Sequence, residues 1–351
     1  MNFARKKTKE VKVGSITIGG NSPISVQTMT KTKTADIDAT VKQIERCCRA
    51  GADIVRVTVN DKLAADAISE IVKQCSFIPI VADIHFNHIF AIKSIEAGVA
   101  KVRINPGNIG SEDRIKQVLA AAKEHSVPIR IGVNSGSVEK EILEKHGRPS
   151  AEALYESAMK HIDICNKFGF DELIIAVKSS NVKLTIDAYR LLSEKVDYPL
   201  HLGVTEAGTI ESGTIKSSIG IGTLLAEGIG DTIRVSLTAE PEKEVEVGRQ
   251  ILRSLELRQT GVEIISCPTC GRLEVDLFSI VKELEKATKD IQKNIKISVL
   301  GCAVNGPGEA RESDIGIAAG STSALLYYKG DLIKKIDEKD IVSEVLRLIN
   351  K

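Results

Sequence analysis

The sequence predicts an α/β protein in which a (β/α)8 TIM barrel is followed by a small α+β domain. Eight short runs rich in β-branched residues alternate with helical segments between residues 25 and 259, the arrangement that an eightfold barrel requires. The alternation stops near residue 260, where a different order of strand-like runs begins. A doubly wound sheet is the alternative, but it would usually show a glycine-rich turn after its first strand and fewer units.

The predicted elements begin with a short basic arm and a hairpin in VKVGSITIGG. Each barrel strand then ends in polar residues and is followed by a segment with apolar residues at helical spacing. These helices open with an N-capping Asp or Ser, as in DIDATVKQIERCCRAG. The predicted strands are SVQTMT (25–30), DIVRVTV (53–59), PIVADIH (79–85), KVRINPG (101–107), PIRIGVN (128–134), ELIIAVKSS (172–180), PLHLGVTEAG (199–208) and DTIRVSLT (231–238).

The fifth unit has a longer connection, GSVEKEILEKHGRPSAEALYES, which we interpret as an insertion on the rim that carries the site. We place the barrel at residues 1–259 and the second domain at residues 260–351. In the second domain the predicted strands are VEIISC, KISVLGC, DIGIAAG and LLYYKGDLIKKI, and the predicted helices are DLFSIVKELEKATKD and IVSEVLRLIN.

Composition excludes several classes of function. Aromatic residues are 3% of the 351 residues, Trp is absent and the net charge is +1, which disfavours nucleic acid as a partner. The N-terminus is charged, and no apolar run is long enough for a signal peptide or a membrane span, so we expect a cytoplasmic protein without membrane attachment. In that reducing compartment the seven cysteines are expected to be thiols or metal ligands.

Polar side chains occur at the C-terminal ends of the predicted barrel strands. Residues two apart on a strand share a face, so Arg103 and Asn105 face one way while Val102 and Ile104 face the helices. The same alternation points the other polar residues into the barrel. The cations are Arg56, Arg103, Arg130, Lys178 and Arg234, and the other polar residues at this end are Asp83, His85, Asn134 and Glu206.

These cations predict an anion site, because unpaired buried cations are energetically costly. The guanidinium fork favours phosphate or diphosphate over a dicarboxylate, and barrels place such sites at this end. Internal salt bridges to Asp83, Glu206 or Asp53 are the alternative interpretation. The cations outnumber these acids, which favours a bound multi-anionic ligand.

The second domain contains a possible metal site. Cys267 and Cys270 form a CxxC, and Cys302 lies in GCAVNGPGE, which predicts an irregular loop. All six histidines precede this domain, so zinc would lack its usual fourth Cys or His ligand. An iron–sulfur cluster with Glu309 as an oxygen ligand is favoured, while zinc and an unligated set of thiols stay open.

The motifs SCPTCGR (266–272) and LGCAVNGPGE (300–309) follow a barrel that carries DIVRVTV, ADIHF, VRINPGN, GVNSGS and LGVTEAG. Together they closely resemble the 4-hydroxy-3-methylbut-2-enyl diphosphate synthases, iron–sulfur enzymes of the methylerythritol phosphate route to isoprenoids. The resemblance spans essentially the whole chain, and its length fits the compact bacterial form of the family.

The resemblance implies a [4Fe–4S] cluster on Cys267, Cys270, Cys302 and Glu309, with Asn305 fixing the cluster loop. It implies two-electron reductive ring opening and dehydroxylation of 2-C-methyl-D-erythritol 2,4-cyclodiphosphate, with electrons from reduced flavodoxin or ferredoxin. Members of the family are homodimers in which the cluster domain of one chain closes the barrel of the other, and the short connection at Thr260 and Gly261 agrees with this.

Carried over onto this sequence, the resemblance assigns a role to each polar residue of the barrel end. Glu206 becomes a candidate acid near the reacting carbons, although it could instead only orient neighbouring cations. Asp83 and His85 are candidate substrate contacts. The family's diphosphate contacts fall on Arg56, Arg103, Arg130, Asn134 and Lys178.

Two other classes of function stay open at this point. One is a phosphate-ligand binding or regulatory protein whose metal is purely structural. The other is a zinc-dependent barrel lyase or hydrolase, for which Asp83, His85 and His88 are the plausible local ligands. The remaining cysteines, Cys47, Cys48, Cys75 and Cys165, are expected to be buried as small apolar residues.

Overall fold

The structure is a computed structural model that describes residues 5–259, 261–273, 275–289, 291, 293–302, 306–320 and 323–351, without the side chains of residues 106 and 107. The chain divides into two compact units, Met1–Arg258 and Gln259–Lys351. No helix among these described residues is long and apolar enough to cross a membrane.

The first unit is a barrel of eight parallel strands, as predicted. The strands are hydrogen-bonded in the order β8-β7-β6-β5-β4-β3-β10-β9, and a parallel bridge between Ile175 and Leu200 joins the two ends. The last two strands are shorter than the predicted runs, since the chain leaves the ladder from residue 203 and residue 234 onward. The strands are β3 (Ser25–Met29), β4 (Ile54–Thr58), β5 (Ile80–Asp83), β6 (Lys101–Ile104), β7 (Ile129–Asn134), β8 (Leu173–Lys178), β9 (His201–Leu202) and β10 (Thr232–Ile233).

Helices follow the barrel strands. Asp36 caps the first of them by accepting a hydrogen bond from the backbone N of Ala39 at 3.0 Å, whereas Ser111 makes no such side-chain bond. The predicted insertion forms a 3-10 turn, Ser135–Ser137, and the helix α6. The helices are α1 (Ile37–Arg49), α2 (Lys62–Gln74), α3 (His88–Glu96), α4 (Pro106–Ile109), α5 (Glu112–Glu124), α6 (Lys140–His146), α7 (Ala151–Lys167), α8 (Val182–Lys195), α9 (Ile210–Ala226) and α10 (Pro241–Ser254).

A hairpin covers the N-terminal end of the barrel. Its strands, β1 (Val11–Val13) and β2 (Ile16–Ile18), pair antiparallel, as the sequence predicted. Its apolar side chains are buried against inward-facing residues at the start of the barrel strands, among them Ile54, Val81 and Ile174. This apolar cluster closes the end of the barrel opposite to the predicted site.

The strands place apolar side chains outward and polar ones inward. Val102 and Ile104 belong to the core between strands and helices, while Lys101 and Arg103 on the same strand do not. This alternation is the predicted one, and it collects polar groups inside the barrel. Three of the four barrel cysteines, Cys47, Cys75 and Cys165, are buried as expected, and Cys48 is partly buried.

The second unit contains a five-stranded sheet in the order β11-β12-β13-β14-β15. The first three strands are parallel and the last two antiparallel. The predicted run LLYYKGDLIKKI forms two strands, because Lys329 and Gly330 have positive φ angles of 50° and 88° and reverse the chain. The strands are β11 (Val262–Ser266), β12 (Ile295–Leu300), β13 (Ile315–Ala319), β14 (Ala324–Tyr328) and β15 (Asp331–Ile336).

Helices α11 (Leu277–Thr288) and α13 (Ile341–Ile349) share one apolar core with this sheet, and a 3-10 turn, Glu338–Asp340, precedes α13. The prediction of an irregular loop in GCAVNGPGE was wrong for its second half, since Gly306–Arg311 forms the short helix α12. Pro307 is compatible with a helix there because it lies in the first turn, where its missing N–H costs nothing.

Candidate active site

The C-terminal end of the barrel contains a polar cavity of about 110 Å³. Small-molecule sites usually measure roughly 300–1,000 Å³, so this enclosed part fits one end of a ligand. Seven of the eight barrel residues predicted as site residues line it, and Glu206 does not. The lining residues are Arg56, Asp83, His85, Arg103, Arg130, Gly132, Asn134, Ala176, Lys178, Thr205, Arg234 and Ser236.

The register of the parallel strands brings these side chains to one end of the barrel. Asp83 lies beside Arg103, and Arg103 beside Arg130, on adjacent strands. Asn134 lies beside Lys178 at the ends of the next pair. Because inward positions on adjacent strands are neighbours, the cations of β4, β6, β7 and β8 form an arc around the cavity, with Asp83 of β5 within it.

Asp83 is the acidic group of this arc and lies between Arg56 and Arg103. Its carboxylate accepts a hydrogen bond from Arg103 Nη1 at 3.2 Å and lies 3.8 Å from Arg56 Nε. Burial alone would raise the pKa of Asp83, but the charges of Arg56 and Arg103 outweigh it and lower the pKa to about 2. One carboxylate therefore serves two guanidinium groups and stays ionised.

Two glycines leave room for the cations. A Cβ on Gly132 would lie 2.6 Å from Arg103 Nε, and a Cβ on Gly203 would lie 2.6 Å from Lys178 Nζ. The Arg103 guanidinium uses the space to donate to the carbonyl oxygen of Gly132 at 3.0 Å. A side chain at either position would displace the cation that now points into the barrel.

Cationic donors exceed their protein acceptors. Arg130 Nε and Nη1 are buried without a hydrogen-bond partner among the described residues, and so is Arg103 Nε. Burial and then the charge of Arg130 lower the pKa of Lys178 well below its ordinary value. Orphaned buried donors need a ligand, since each costs about 1–3 kcal/mol when unsatisfied.

Of the three acids that the sequence suggested as internal partners of the cations, only Asp83 pairs with them among the described residues. Asp53 binds Arg258 and the backbone N of Val26, away from the cations of the cavity. Glu244 on α10, which the sequence did not single out, accepts from Arg234 Nη2 at 3.1 Å through both carboxylate oxygens. Internal pairing thus accounts for Arg234 and Arg103 but leaves Arg130 and Lys178 unpaired among the described residues.

Glu206 lies in the loop that follows β9. Its side chain is exposed and its φ is 52°, a left-handed conformation that costs a non-glycine residue on the order of 1–3 kcal/mol. Two backbone bonds hold the loop, from Thr205 N to Ser179 O at 3.2 Å and from Thr238 N to Gly208 O at 2.9 Å. Strain maintained in this way is typical of functional loops, although the loop does not place Glu206 in the cavity.

The three predicted cysteine ligands lie in loops that follow strands of the second unit's sheet. Cys267 and Cys302 follow β11 and β12, which are adjacent and parallel, and the backbone N of Cys267 donates to Val299 O at 3.2 Å. A Cβ on Gly301 would lie 2.4 Å from Leu273 Cδ1, so the CxxC loop packs directly on the residue before Cys302. Cys302 is buried and Cys270 exposed, and hydrogen bonds from Arg272 lower the pKa of Cys270.

Glu309 lies on α12, with its side chain exposed. The hydroxyls of Ser298 and Ser313 both donate to its backbone oxygen at 3.3 Å, which ties α12 to β12 and to the start of β13. Asn305, which the sequence suggested as a loop-fixing residue, lies outside the described residues.

The donor set fits an iron–sulfur cluster. All three thiols are free of disulfides and follow strand ends, and a carboxylate is carried on the neighbouring short helix. Within the described part of the chain no three His, Cys, Asp or Glu side chains are close enough to hold a single ion. Ligands of a four-iron cluster bind different iron atoms, so they stand farther apart than the ligands of one ion.

Both units match domains of one known family. Residues 8–249 match the GcpE TIM-barrel domain, and residues 263–351 match the GcpE protein C-terminal domain. The chain belongs to the GcpE family.

Relatives within the family are close in sequence. The chain is 58% identical over 347 residues to 4-hydroxy-3-methylbut-2-en-1-yl diphosphate synthase (flavodoxin) of Caldanaerobacter subterraneus subsp. tengcongensis, covering 99% of this chain and 98% of that protein. It is 55% identical over 345 residues to the protein of the same name from Clostridium perfringens, covering 98% and 99%.

Solved structures of more distant proteins share the barrel. Dihydropteroate synthase from Xanthomonas albilineans in complex with 7,8-dihydropteroate superposes with a TM-score of 0.52 at 15% identity, over 70% of this chain and 97% of that one. The enzyme from Stenotrophomonas maltophilia gives 0.52 at 13% identity, over 71% and 97%. At these identities the likeness concerns the fold alone.

Several polar residues of the barrel were missed from the sequence. Thr205 and Ser236 line the cavity, and Lys101 and His201 are fully buried inside the barrel. The signal was available, because Lys101 lies two residues before Arg103 on one strand and therefore shares its face. His201 could have been found in the same way, because it lies two residues before Gly203 and therefore shares its face.

Proposed function

We propose that this chain is a flavodoxin-dependent 4-hydroxy-3-methylbut-2-enyl diphosphate synthase. It converts 2-C-methyl-D-erythritol 2,4-cyclodiphosphate to 4-hydroxy-3-methylbut-2-enyl diphosphate. Two C–O bonds break: one frees a ring phosphate oxygen and the other releases a hydroxyl as water, while the carbon skeleton gains two electrons. The observation that carries the proposal is the arc of cations with orphaned donors at the barrel end, in a chain whose whole length matches the family.

The barrel cations bind the diphosphate part of the substrate in this proposal. Arg130 offers two unsatisfied N–H groups and Arg103 offers one, while Arg56 adds charge and Lys178 adds a further donor. Asn134 supplies a neutral amide at the rim. The cavity is too small for a complete ligand, so the carbon skeleton extends from it toward the loop that carries Glu206.

Asp83 has a positioning role in this arrangement. It holds Arg103 and Arg56 in place through its two oxygens and stays ionised at any pH above its low pKa. That engagement also weighs against the alternative of a zinc-dependent barrel enzyme, since a carboxylate bound to two guanidinium groups is a poor ligand for a metal. His85 is exposed at the edge of the cavity, where it can contact the substrate directly.

Glu206 is the proposed proton donor. Its carboxyl group delivers a proton to the hydroxyl oxygen that leaves as water. The strained, anchored loop holds the Glu206 side chain outside the arc of cations. Glu206 therefore makes none of the ion pairs that occupy Asp83. Movement of the loop toward bound substrate would bring acid and oxygen together.

Cys267, Cys270, Cys302 and Glu309 are the proposed holders of a [4Fe–4S] cluster. Bound there, the cluster supplies two electrons, one at a time, and a Lewis-acidic iron at the position of the carboxylate ligand. Glu309 would suit that position because a hard oxygen ligand would be held less firmly by iron than a thiolate, and its side chain is exposed. Reduced flavodoxin is the proposed donor, in keeping with the names of the relatives.

We also propose that the active form is a homodimer in which each barrel works with the second unit of its partner. The support for this proposal is the short connection, since seven residues, 255–261, lie between the end of α10 at Ser254 and the start of β11 at Val262. A test mixes two inactive variants, Arg103→Ala and Cys267→Ser. Recovered turnover after mixing supports shared sites, and no recovery at any ratio contradicts them.

The proposed reaction is tested by anaerobic turnover of the cyclodiphosphate with chemically reduced flavodoxin. Arg103→Ala is expected to keep the cluster absorbance and lose substrate affinity, whereas Glu309→Ala is expected to perturb the cluster itself. Lys140→Ala, at a highly exposed position on α6, is the matched control and should behave as wild type. A wild-type enzyme that binds substrate but never releases product would favour a binding protein with a structural metal.

A further inference from the structure

A second polar layer lies inside the barrel, beneath the cavity. Lys101 precedes Arg103 by two residues on β6 and is fully buried, and its Nζ has no hydrogen-bond partner within the described part of the chain. His201 of β9 is equally buried, with both ring nitrogens unpartnered there. Neither residue lines the cavity, and neither was assigned a role above.

The layer is closed from below by apolar side chains. Lys101 lies beside Val81 in the register of β5 and β6, and Val81 belongs to the apolar cluster that the N-terminal hairpin covers. Lys101 is therefore held between this cluster and the cations that line the cavity. Its amine is shielded from solvent on the hairpin side and faces fixed positive charge on the other.

The charges around Lys101 have one sign. Arg130 of β7 and Arg56 of β4 act on it, and His201 of β9 belongs to the same group of interacting residues. The acid on the adjacent strand β5, Asp83, is already engaged by Arg103 and Arg56. Nearer the N-terminal end, the inward positions of the remaining strands hold Gln27 on β3, Ile174 on β8 and Thr232 on β10. Lys178 at the end of β8 and Arg234 after β10 also point inward, but they line the cavity above.

A guanidinium group keeps its proton inside proteins, whereas an amine can lose it. Four arginines line the cavity, and they are paired with only two carboxylates among the described residues, those of Asp83 and Glu244. A charged Lys101 would add to an excess of positive charge without a counter-ion. Burial and then the charges of Arg130 and Arg56 accordingly lower the pKa of Lys101 well below its ordinary value.

We propose that Lys101 is a proton acceptor coupled to anion binding: its amine is uncharged when no anion occupies the cavity, and it takes one proton from solvent when a diphosphate group binds above it. No bond of the ligand forms or breaks in this step, and the proton balance is one from solvent to Nζ. Ring opening of a cyclic diphosphate creates one further acidic oxygen, so the same uptake offsets the charge that the reaction generates. This inference rests on the diphosphate-binding part of the proposed function.

The test uses isothermal titration calorimetry with inorganic pyrophosphate, without magnesium, near pH 8. Titrations in two buffers of different ionisation enthalpy give the number of protons taken up on binding. Wild type is compared with Lys101→Met, which keeps the length of the side chain without an ionisable group, and with Lys140→Met as an exposed control. Protonation changes of pyrophosphate itself are common to all three proteins and cancel in the comparison.

Wild type and Lys140→Met should take up more protons than Lys101→Met, by up to one. The dissociation constant of wild type should therefore rise with pH more steeply than that of Lys101→Met, by up to tenfold per pH unit. Equal proton uptake and parallel pH dependence in wild type and Lys101→Met would overturn the proposed role of Lys101 but leave the diphosphate site intact. Failure of pyrophosphate to bind wild type would overturn the diphosphate site as well.

A second measurement does not require ligand. The unfolded chain binds a proton at Lys101 up to about pH 10.4, whereas the folded barrel does not, so stability rises with pH in that window. The urea midpoint of wild type should increase more steeply between pH 7.5 and pH 9.5 than that of Lys101→Met. Identical slopes would contradict an uncharged amine in the ligand-free barrel, whether or not the variant binds pyrophosphate.

Discussion

The arrangement of Asp83 between two arginines makes a quantitative prediction about stability. The folded pKa of about 2 lies below the ordinary value of about 3.9, so folding favours the charged carboxylate by roughly 2–3 kcal/mol at 1.36 kcal/mol per pKa unit. This contribution is complete above pH 3.9 and is lost as the pH falls through about 2. The side chain is 3% exposed, so solvent screening is small.

The perturbation is Asp83→Asn, compared with Arg103→Met and with the double variant. Asp83→Asn leaves Arg103 and Arg56 without a counter-ion and should destabilise the barrel by about 3–5 kcal/mol. Arg103→Met should cost only about 1–2 kcal/mol, since Asp83 keeps Arg56 and the excess of positive charge falls. The double variant should be more stable than Asp83→Asn alone.

The assay is urea unfolding of the barrel at pH 7.5, followed by circular dichroism. Urea is preferred to guanidinium because it adds no ions that would screen the cations. Lys140→Met, whose partner Glu144 is exposed, should change stability by less than about 0.5 kcal/mol. If Asp83→Asn were no more destabilising than Arg103→Met, Asp83 would not be the shared counter-ion of two arginines.

Three further predictions concern anion binding, turnover and cluster content. Gly132→Ala should displace Arg103 and weaken pyrophosphate binding at least tenfold, as measured by calorimetry. Gly136→Ala, with no atom within 4 Å of its added Cβ, should bind pyrophosphate as wild type does, and equal affinities of the two variants would contradict the tight fit at Gly132. Glu206→Gln should lower kcat by about 10²–10⁴-fold and leave pyrophosphate affinity unchanged, and an unchanged kcat would remove Glu206 as the acid. Cys267→Ser should lose iron and sulfide while its circular dichroism stays that of wild type, and retained iron would exclude Cys267 as a ligand.

The barrel could be predicted from the sequence because its two periodicities are simple. Strands that alternate inward and outward residues gave both the order of units and the face that carries Arg56, Arg103 and Arg130. The ends of the last two strands were less predictable, since glycine and polar residues after Leu202 suit both a strand and a turn.

Residues paired across long distances could not be predicted. Glu244 binds Arg234 from a helix, and nothing in the local pattern of α10 distinguishes it from the acids nearby on the same helix. Likewise, the exposure and positive φ of Glu206 depend on how its loop is anchored by distant backbone atoms. The motif around Cys302 indicated metal chemistry, but the short helix that carries Glu309 depends on packing against β12 and β13.

The most direct test of the account is the content of iron, acid-labile sulfide and zinc per chain after strictly anaerobic purification. The proposed reductive enzyme predicts about four irons and four sulfides per chain, as a [4Fe–4S] cluster requires, and no stoichiometric zinc. One zinc per chain without sulfide would contradict the redox function. The arginines of the barrel would then indicate only a phosphorylated ligand.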